Sequence, residues 1–478
     1  MRRAKIVATL GPALDDRDKL RAAVEAGIDV VRLNFSHGDH DAHARRLDTV
    51  RELSVRMRRN VGSLADLQGP RIRLGHLPAA GVRVPNGSEV FLLPGREALD
   101  GYDDNEPALP ISYDALADDV EPGTLVLIDD GSIRLVVSRL ESEGIWARAV
   151  AGGVAHSRKG VNLPGVAVSA PTLTDKDLTD LKAALEFGAD WVALSFVRRP
   201  QDILDARSRI ESLDGECPIV AKLERPESID ALLGIIQASD AVMVARGDLG
   251  VEIGPERVPA IQKEIIAEAN SEGVPVITAT EMLESMISSP RATRAEASDV
   301  ANAVFDGTDA LMLSGETAAG RYPVEAVRTM ARIIEVAESS PQLIHAGRPP
   351  RSEMGVRRVV AQAACQVARD VRATALVVYS ISGASLQLVS KHRPDVPLLG
   401  LTPREATRRR SALMWGTEAA LVPMKDQATD LTTTAERVLV DGNWAEPGDR
   451  IVIVSGQPGG QGGTNRITVH RIGEPVGG

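Results

Sequence analysis

The sequence predicts a (β/α)8 barrel of the TIM type, interrupted by an inserted small β-barrel lid domain and followed by an open α/β domain. Three observations carry that reading. Short continuous apolar runs alternate with amphipathic stretches. The alternation breaks once, between Asp66 and Leu173, into many short β-rich runs. After about Pro341 a new strand–helix alternation begins.

The barrel strands are expected at KIVATL from Lys5, DVVRLNF from Asp29, GSLADL from Gly62, WVALSF from Trp191, PIVAKLE from Pro218, AVMVARG from Ala241, VPVITAT from Val274 and ALMLSGE from Ala310. These runs are continuously apolar rather than alternating, as strands buried on both faces must be. Helical patterns lie between them. In ERVPAIQKEIIAEAN, Val258, Ile261, Ile265 and Ala269 fall on one face. The β-rich insertion reads GVRVPNGSEVFLL, GTLVLIDDGSIRLVV and GIWARAVAGG, with turns at Pro85-Asn86-Gly87 and Asp130-Gly131. It follows the third barrel strand, and both its ends return to the same rim, where it could close as a lid. The last alternation runs through VRRVVAQAACQVARD, ATALVVYS, VPLLGLT and DRIVIVSG. The expected domains are therefore 1–69 and 169–340 for the barrel, 70–168 for the lid and 341–478 for the C-terminal domain. The Gly-rich SGQPGGQGGTN reads either as a linker-like loop or as a nest of backbone amides for an anion.

At 478 residues the chain is too long for one core. With 43% hydrophobic and 25% charged residues it reads as a folded soluble protein. The net charge of -11 argues against a general nucleic-acid binder. Cys217 and Cys365 lack any CxxC context and read as buried reduced thiols. The N-terminal apolar stretch is too short for a secretory signal, and no run approaches the ~20 apolar residues of a membrane span. A cytoplasmic location without membrane or nucleic-acid partners is expected.

Active sites of such barrels lie at the carboxyl ends of the strands. Arg32, Asn34 and Ser36 follow strand two. Asp66 and, further on, Arg73 follow strand three. Lys222 and Glu224 end strand five, Arg246-Gly247-Asp248 strand six, Thr278 and Thr280 strand seven, and Ser314-Gly315-Glu316 strand eight. Lys222 and Glu224 are two apart, so alternation sends both to one face. Buried charges must pair or bind an ion. The carboxylates Glu224 and Asp248 suit a hard divalent cation such as Mg2+ (or Mn2+). Arg32 and Lys222 suit an anionic substrate. Metal, cations and a Gly-Asp turn together fit phosphoryl transfer. His37, His40 and His43 are spaced for zinc, but they span the start of a helix where Ser36 and Asp39 look like caps, so local hydrogen bonding is the better reading. There is no GxxxxGK[ST] loop, and Gly247 to Gly250 is too short for a dinucleotide fingerprint.

The segments AKIVATLGPA, DVVRLNFSHGDH, ADLQGPRIRLG, SRKGVNLPG, IVAKLERPESID, VMVARGDLGVEI, TATEMLESM and DGTDALMLSGETAAGRYP resemble the signature segments of the pyruvate kinases, in the family's order, over most of residues 4–325. The C-terminal third is similar to the family's regulatory domain less sharply. The resemblance implies a reaction: phosphoenolpyruvate plus ADP gives pyruvate plus ATP. It implies Mg2+ on Glu224 and Asp248, Lys222 stabilising the transferred phosphoryl group and the enolate, and Arg32 on the substrate phosphate. Gly247, Asp248 and Thr280 would hold the substrate carboxylate, and water near Thr280 would protonate the enolate. Arg73 and Lys159 would reach the nucleotide phosphates, with Asn34 near them. Family members that need K+ hold it with residues matching Asn34, Ser36, Asp66 and the carbonyl of Leu67.

This chain departs from the pattern at Arg71, where those members usually carry Glu. A fixed guanidinium there would stand in for K+ and make it dispensable. Gln68 replaces a usual Lys and Glu281 a usual Gln. The loop SISGAS, through Ser380, Ser382, Gly383 and Ser385, reads either as a strand-to-helix turn with ordinary capping or, by resemblance, as the family's site for a phosphorylated allosteric effector. Fructose bisphosphate, glucose 6-phosphate and AMP stay open as its ligand. A homotetramer is implied by resemblance alone. The alternatives are another enolate-forming metal enzyme on this barrel, phosphoenolpyruvate carboxylase-like or an aldolase-type lyase, and a non-catalytic regulatory barrel.

Overall fold

The computed structural model describes residues 2–99, 107–166, 168–340, 355–424, 428–456 and 464–475. Eight parallel strands close a barrel in sequence order. They are β1 (Lys5–Thr9), β2 (Val30–Asn34), β3 (Gly62–Asp66), β4 (Trp191–Leu194), β5 (Ile219–Leu223), β6 (Ala241–Ala245), β7 (Val276–Ala279) and β8 (Ala310–Leu313). All eight fall on the expected apolar runs. Their interior is filled by Val7, Val30, Leu64, Val220, Met243, Ile277 and Met312 among others. Helix Val258–Glu272 buries Val258, Ile261, Ile265 and Ala269, the face its spacing predicts.

The barrel's base carries a fourfold pattern. An aspartate stands immediately before each even strand: Asp29, Asp190, Asp240 and Asp309. Each carboxylate accepts the N–H of a residue at the start of the preceding odd strand. The donors are Ile6, Ser63, Ile219 and Val276, at 2.8, 2.9, 2.8 and 2.8 Å. These amides open their strands and have polar partners even where burial excludes water. Each aspartate also meets a cation: Arg2 at 2.6 Å, Arg51 at 2.7 Å, Arg207 at 2.9 Å and Lys391 at 2.6 Å respectively.

The insertion pairs 82–84 with 153–155 in a two-stranded sheet and builds a six-stranded one in the order 161–162, 125–128, 133–141, 144–151, 89–94, 108–111. Residues 72–75 tie its two edges together. Val161 N–H donates to Ile72 O at 2.9 Å and Leu74 N–H to Lys159 O at 2.8 Å on one side. On the other, Gly75 N–H donates to Pro110 O and Ser112 N–H to Arg73 O, both at 2.9 Å. The result is the expected small barrel, with its own core around Leu74, Leu92, Leu109, Ile128 and Leu135. The chain leaves β3 for this domain through Gly69. Its φ of +69° and the approach of Phe196, 2.8 Å from where a Cβ would sit, leave no room for a side chain.

The C-terminal domain is a five-stranded sheet in the order 417–421, 398–402, 375–379, 450–456, 464–471, the last strand antiparallel. It docks under the barrel. Lys391 and Arg393 both reach Asp309, Arg409 reaches Asp190 at 2.7 Å, and the Lys5 ammonium donates to Thr417 O at 2.8 Å. Residues 457–463, the centre of the Gly-rich loop, lie outside the described residues. Cys217 and Cys365 are buried and unpaired, and burial pushes both thiols up to about 12. No described helix is long and apolar enough to cross a membrane.

Candidate active site

Asp66, at the end of β3, organises the cleft. Burial opposes its ionisation, but Lys222 and Arg32 overcome that and hold its carboxyl below the ordinary range. The Arg32 Nε donates to Asp66 Oδ2 at 2.6 Å and Arg32 Nη1 to Thr9 Oγ1 at 3.1 Å. This fixes the guanidinium across the ends of β1 to β3. Lys222 stands 3.2 Å from Asp66 Oδ1 and 2.8 Å from Glu224 Oε1, so the two-residue spacing does bring that pair together. Burial pushes the Lys222 ammonium down, but Asp66 and Glu224 reverse this and keep it above its usual value. It is a fixed cation at neutral pH.

Glu224 accepts the Phe196 N–H on Oε2 at 3.0 Å, while buried Oε1 lacks a well-directed hydrogen bond. Burial raises the Glu224 pKa, and the nearby Asp248 carboxylate raises it further against the pull of Lys222. Glu224, whose buried Oε1 is met only by the Lys222 ammonium, and Asp248 form a donor set that a divalent cation would satisfy. Asp248 opens the helix Arg246–Ile253 after β6. The neighbouring Gly247 N–H donates to Thr280 Oγ1 at 2.7 Å, joining the ends of β6 and β7.

Cations line the lid side. The Arg71 guanidinium is 3.6 Å from Asp248. Arg73 donates to Arg158 O at 3.0 Å, and Lys159 pairs with Asp129 at 2.9 Å. Burial and the charges of Arg73, Arg32 and Arg71 together push His37 down. The lid is latched to the barrel by Glu252, which receives Arg225 at 2.8 Å from below and Asn162 at 3.1 Å from the lid.

The comparisons with known proteins address the whole chain. The model of the pyruvate kinase barrel domain matches residues 1–327, and that of the pyruvate kinase alpha/beta domain matches 358–470. The chain belongs to the pyruvate kinase family. It is 46% identical to a pyruvate kinase of Mycobacterium tuberculosis over 478 residues, covering 99% of each chain. It is 43% identical to that of Corynebacterium glutamicum over 474 residues, covering 99% of this chain and 98% of the other. A crystal structure of a pyruvate kinase from Cryptosporidium parvum superposes with a TM-score of 0.91 at 33% identity, covering 98% of this chain and 96% of that one. The chain is therefore an enzyme, and the readings as a lyase or a non-catalytic barrel are set aside.

Within that family frame, Asn34 and Asp66 stand side by side at the ends of β2 and β3. Phe35 N–H donates to Asp66 O at 3.0 Å, and Asn34 Oδ1 accepts the Ser36 N–H at 3.2 Å. The Leu67 carbonyl accepts the Ser195 hydroxyl at 2.7 Å. Ser36 does not cap the following helix: Asp39 does, through the Ala42 N–H at 2.7 Å, because it immediately precedes the first helical residue, His40. The histidines do not gather on one point. His40 pairs with Asp180 at 2.7 Å, and His43 turns back to the His37 carbonyl at 2.9 Å. In the C-terminal loop, Ser380 Oγ accepts the Gly383 N–H at 3.0 Å, Gly383 has φ +91°, and Ser385 bonds Thr464. Ser382 is exposed.

Sequence reasoning missed Ser195 and Thr9. Ser195 Oγ accepts from Lys222 Nζ at 2.7 Å, and Thr9 supports Arg32. Both lie at carboxyl ends of barrel strands, β4 and β1, for which no site residue was assigned. That gap was the available signal.

Proposed function

We propose that this cleft transfers the phosphoryl group of phosphoenolpyruvate to ADP, giving pyruvate and ATP, the last step of glycolysis. The observation that carries the reading is the buried Arg32–Asp66–Lys222–Glu224 array facing Asp248. Glu224 and Asp248 would hold Mg2+ (or Mn2+), which when bound supplies positive charge to the phosphoryl oxygens. Arg32, already oriented by Asp66 and Thr9, would take the substrate phosphate. Lys222, held cationic, would neutralise charge on the phosphoryl group in transit and then on the enolate oxygen. The Gly247–Asp248 turn and Thr280 would seat the substrate carboxylate, and water near Thr280 would deliver the proton to the enolate. Arg73 and Lys159, with Asn34 beneath, would receive the nucleotide phosphates as the lid closes. The test is ADP-dependent release of pyruvate from phosphoenolpyruvate in the presence of Mg2+. Pyruvate release that does not need ADP would overturn it.

We further propose that K+ is dispensable. Asn34 Oδ1 and the Leu67 carbonyl, two of the oxygens expected to hold it, accept hydrogen bonds within the protein, and Arg71 places a permanent cation beside Asp248. Activity should persist in buffer free of K+ and NH4+, and Arg71→Glu should make it depend on K+. Strong activation of the parent enzyme by K+ would sink the idea. A phosphorylated effector at Ser380, Ser382, Gly383 and Ser385 and a homotetrameric assembly are proposed from the family resemblance. Calorimetric titration with the three candidate phosphates and light scattering would test them.

A further inference from the structure

Two adjacent residues at the end of β7, Thr280 and Glu281, have φ of +67° and +54°. Neither is glycine, so this left-handed pair persists only where its surroundings enforce it. The enforcing group is one side chain. Arg246 is 8% exposed and threads its guanidinium under the turn. Its Nε donates to Ala279 O at 3.3 Å and to Thr280 O at 3.2 Å. Its Nη2 donates to Thr280 O at 2.7 Å and to Glu281 O at 3.2 Å. The other end is anchored. Nη1 lies 2.7 Å from Asp299 Oδ2 on helix Arg294–Asp306 and 3.3 Å from Gln262 Oε1 on helix Val258–Glu272.

Three successive carbonyls aimed at one guanidinium define the path of the turn. The next residue along from Arg246 completes the grip, because Gly247 N–H holds the Thr280 hydroxyl. Side chain and backbone of one dipeptide thus fix both the backbone and the side-chain oxygen of Thr280. Lysine could not do the same. Its ammonium is a point donor, whereas the planar fork reaches the carbonyls and Asp299 together.

We infer that Arg246 is a positioning residue for the substrate subsite. It touches no substrate but sets Thr280 against the Gly247–Asp248 turn by holding the left-handed pair. The inference rests on the reading of Thr280 as a phosphoenolpyruvate contact. It assigns Arg246 to the carboxylate side of the substrate, away from the nucleotide.

The test compares Arg246→Lys, Asp299→Asn and Thr280→Ala in steady-state assays with Mg2+, alongside melting temperature. Arg246→Lys should raise KM for phosphoenolpyruvate at least tenfold and leave KM for ADP within twofold. Asp299→Asn, which loosens the anchor without touching the turn, should shift the same constant in the same direction by less. Should Arg246→Lys fail to fold, Asp299→Asn alone decides. A variant pair that melts earlier with both KM values unchanged, or with both raised alike, makes Arg246 merely structural and overturns the inference. If Thr280→Ala raises KM for phosphoenolpyruvate while Arg246→Lys and Asp299→Asn do not, only the inference fails. If Thr280→Ala leaves it unchanged, the reading of Thr280 fails first and the inference with it.

Discussion

Removing the Lys222 ammonium would strip two buried carboxylates, Asp66 and Glu224, of a shared partner. It would also remove the charge best placed to meet a developing enolate. Loss of one preorganised donor costs about 10²–10³ in turnover, and a full cation at this position should cost at least that. Lys222→Ala is therefore expected to fall by roughly three orders of magnitude or more in kcat, read in a coupled pyruvate assay. A kcat within tenfold of the parent would remove Lys222 from its assigned role. At this scale the sequence was legible where period alone decides contact. Residues two apart on a strand share a face, and Lys222 and Glu224 do meet. It was illegible where the partner is a backbone carbonyl. Arg246 was visible at a strand end, but its hold on Ala279, Thr280 and Glu281 depends on two φ angles that no spacing reveals.

At the scale of the element, the four basal aspartates join each odd strand to the even strand that follows. Asp309 gathers two cations, Lys391 and Arg393, and the Val276 N–H around one carboxylate. Burial opposes its charge, but Arg393 and Lys391 prevail and hold its carboxyl below its ordinary value of 3.8. The folded chain binds that proton less readily than the unfolded one. The stabilisation is therefore complete above about pH 4 and is lost as pH falls through the lower folded value. Asp309→Asn should cost about 3–5 kcal/mol near neutrality, because it leaves two buried cations short of a partner. Its stability should also fall less steeply on acidification than that of the parent, as followed by urea unfolding. Equal acid dependence in both would refute this account. The barrel strands themselves were readable because strands buried on both faces must be continuously apolar. In the lid, strands 108–111, 153–155 and 161–162 escaped notice. They are too short to show a period, and Pro110 and Gly153 read as breakers.

At the scale of the whole molecule, the three expected units are present, and the lid insertion was legible from the single break in alternation. How the C-terminal domain meets the barrel was not legible, because its contacts join residues more than 80 positions apart, as with Lys391 and Asp309. That domain touches the Asp190 clamp through Arg409, the Asp309 clamp through Lys391 and Arg393, and the β1 side through Lys5 and Thr417. Among the described residues, the fourth clamp, Asp240, pairs only with Arg207 of the barrel. Its side chain is 36% exposed, against 1% for Asp190 and Asp309.

A ring of four clamps opens first where a clamp has the fewest charged partners and the most solvent around it. Here that clamp is Asp240, which joins β5 and β6, whose far ends carry Lys222, Glu224 and Asp248. The C-terminal domain reaches this side at Glu216, through Arg410 and Arg404. The most exposed clamp therefore lies beneath the chemically busiest arc of the barrel. Amide exchange at Ile219 should then be faster than at Ser63 and Val276, though all three donate to an aspartate at nearly equal length. Uniform protection of the three would mean that the barrel is stiff all round. Faster exchange at Ile219 would mean that the strands carrying the charge pair can breathe while the floor beneath the others stays still.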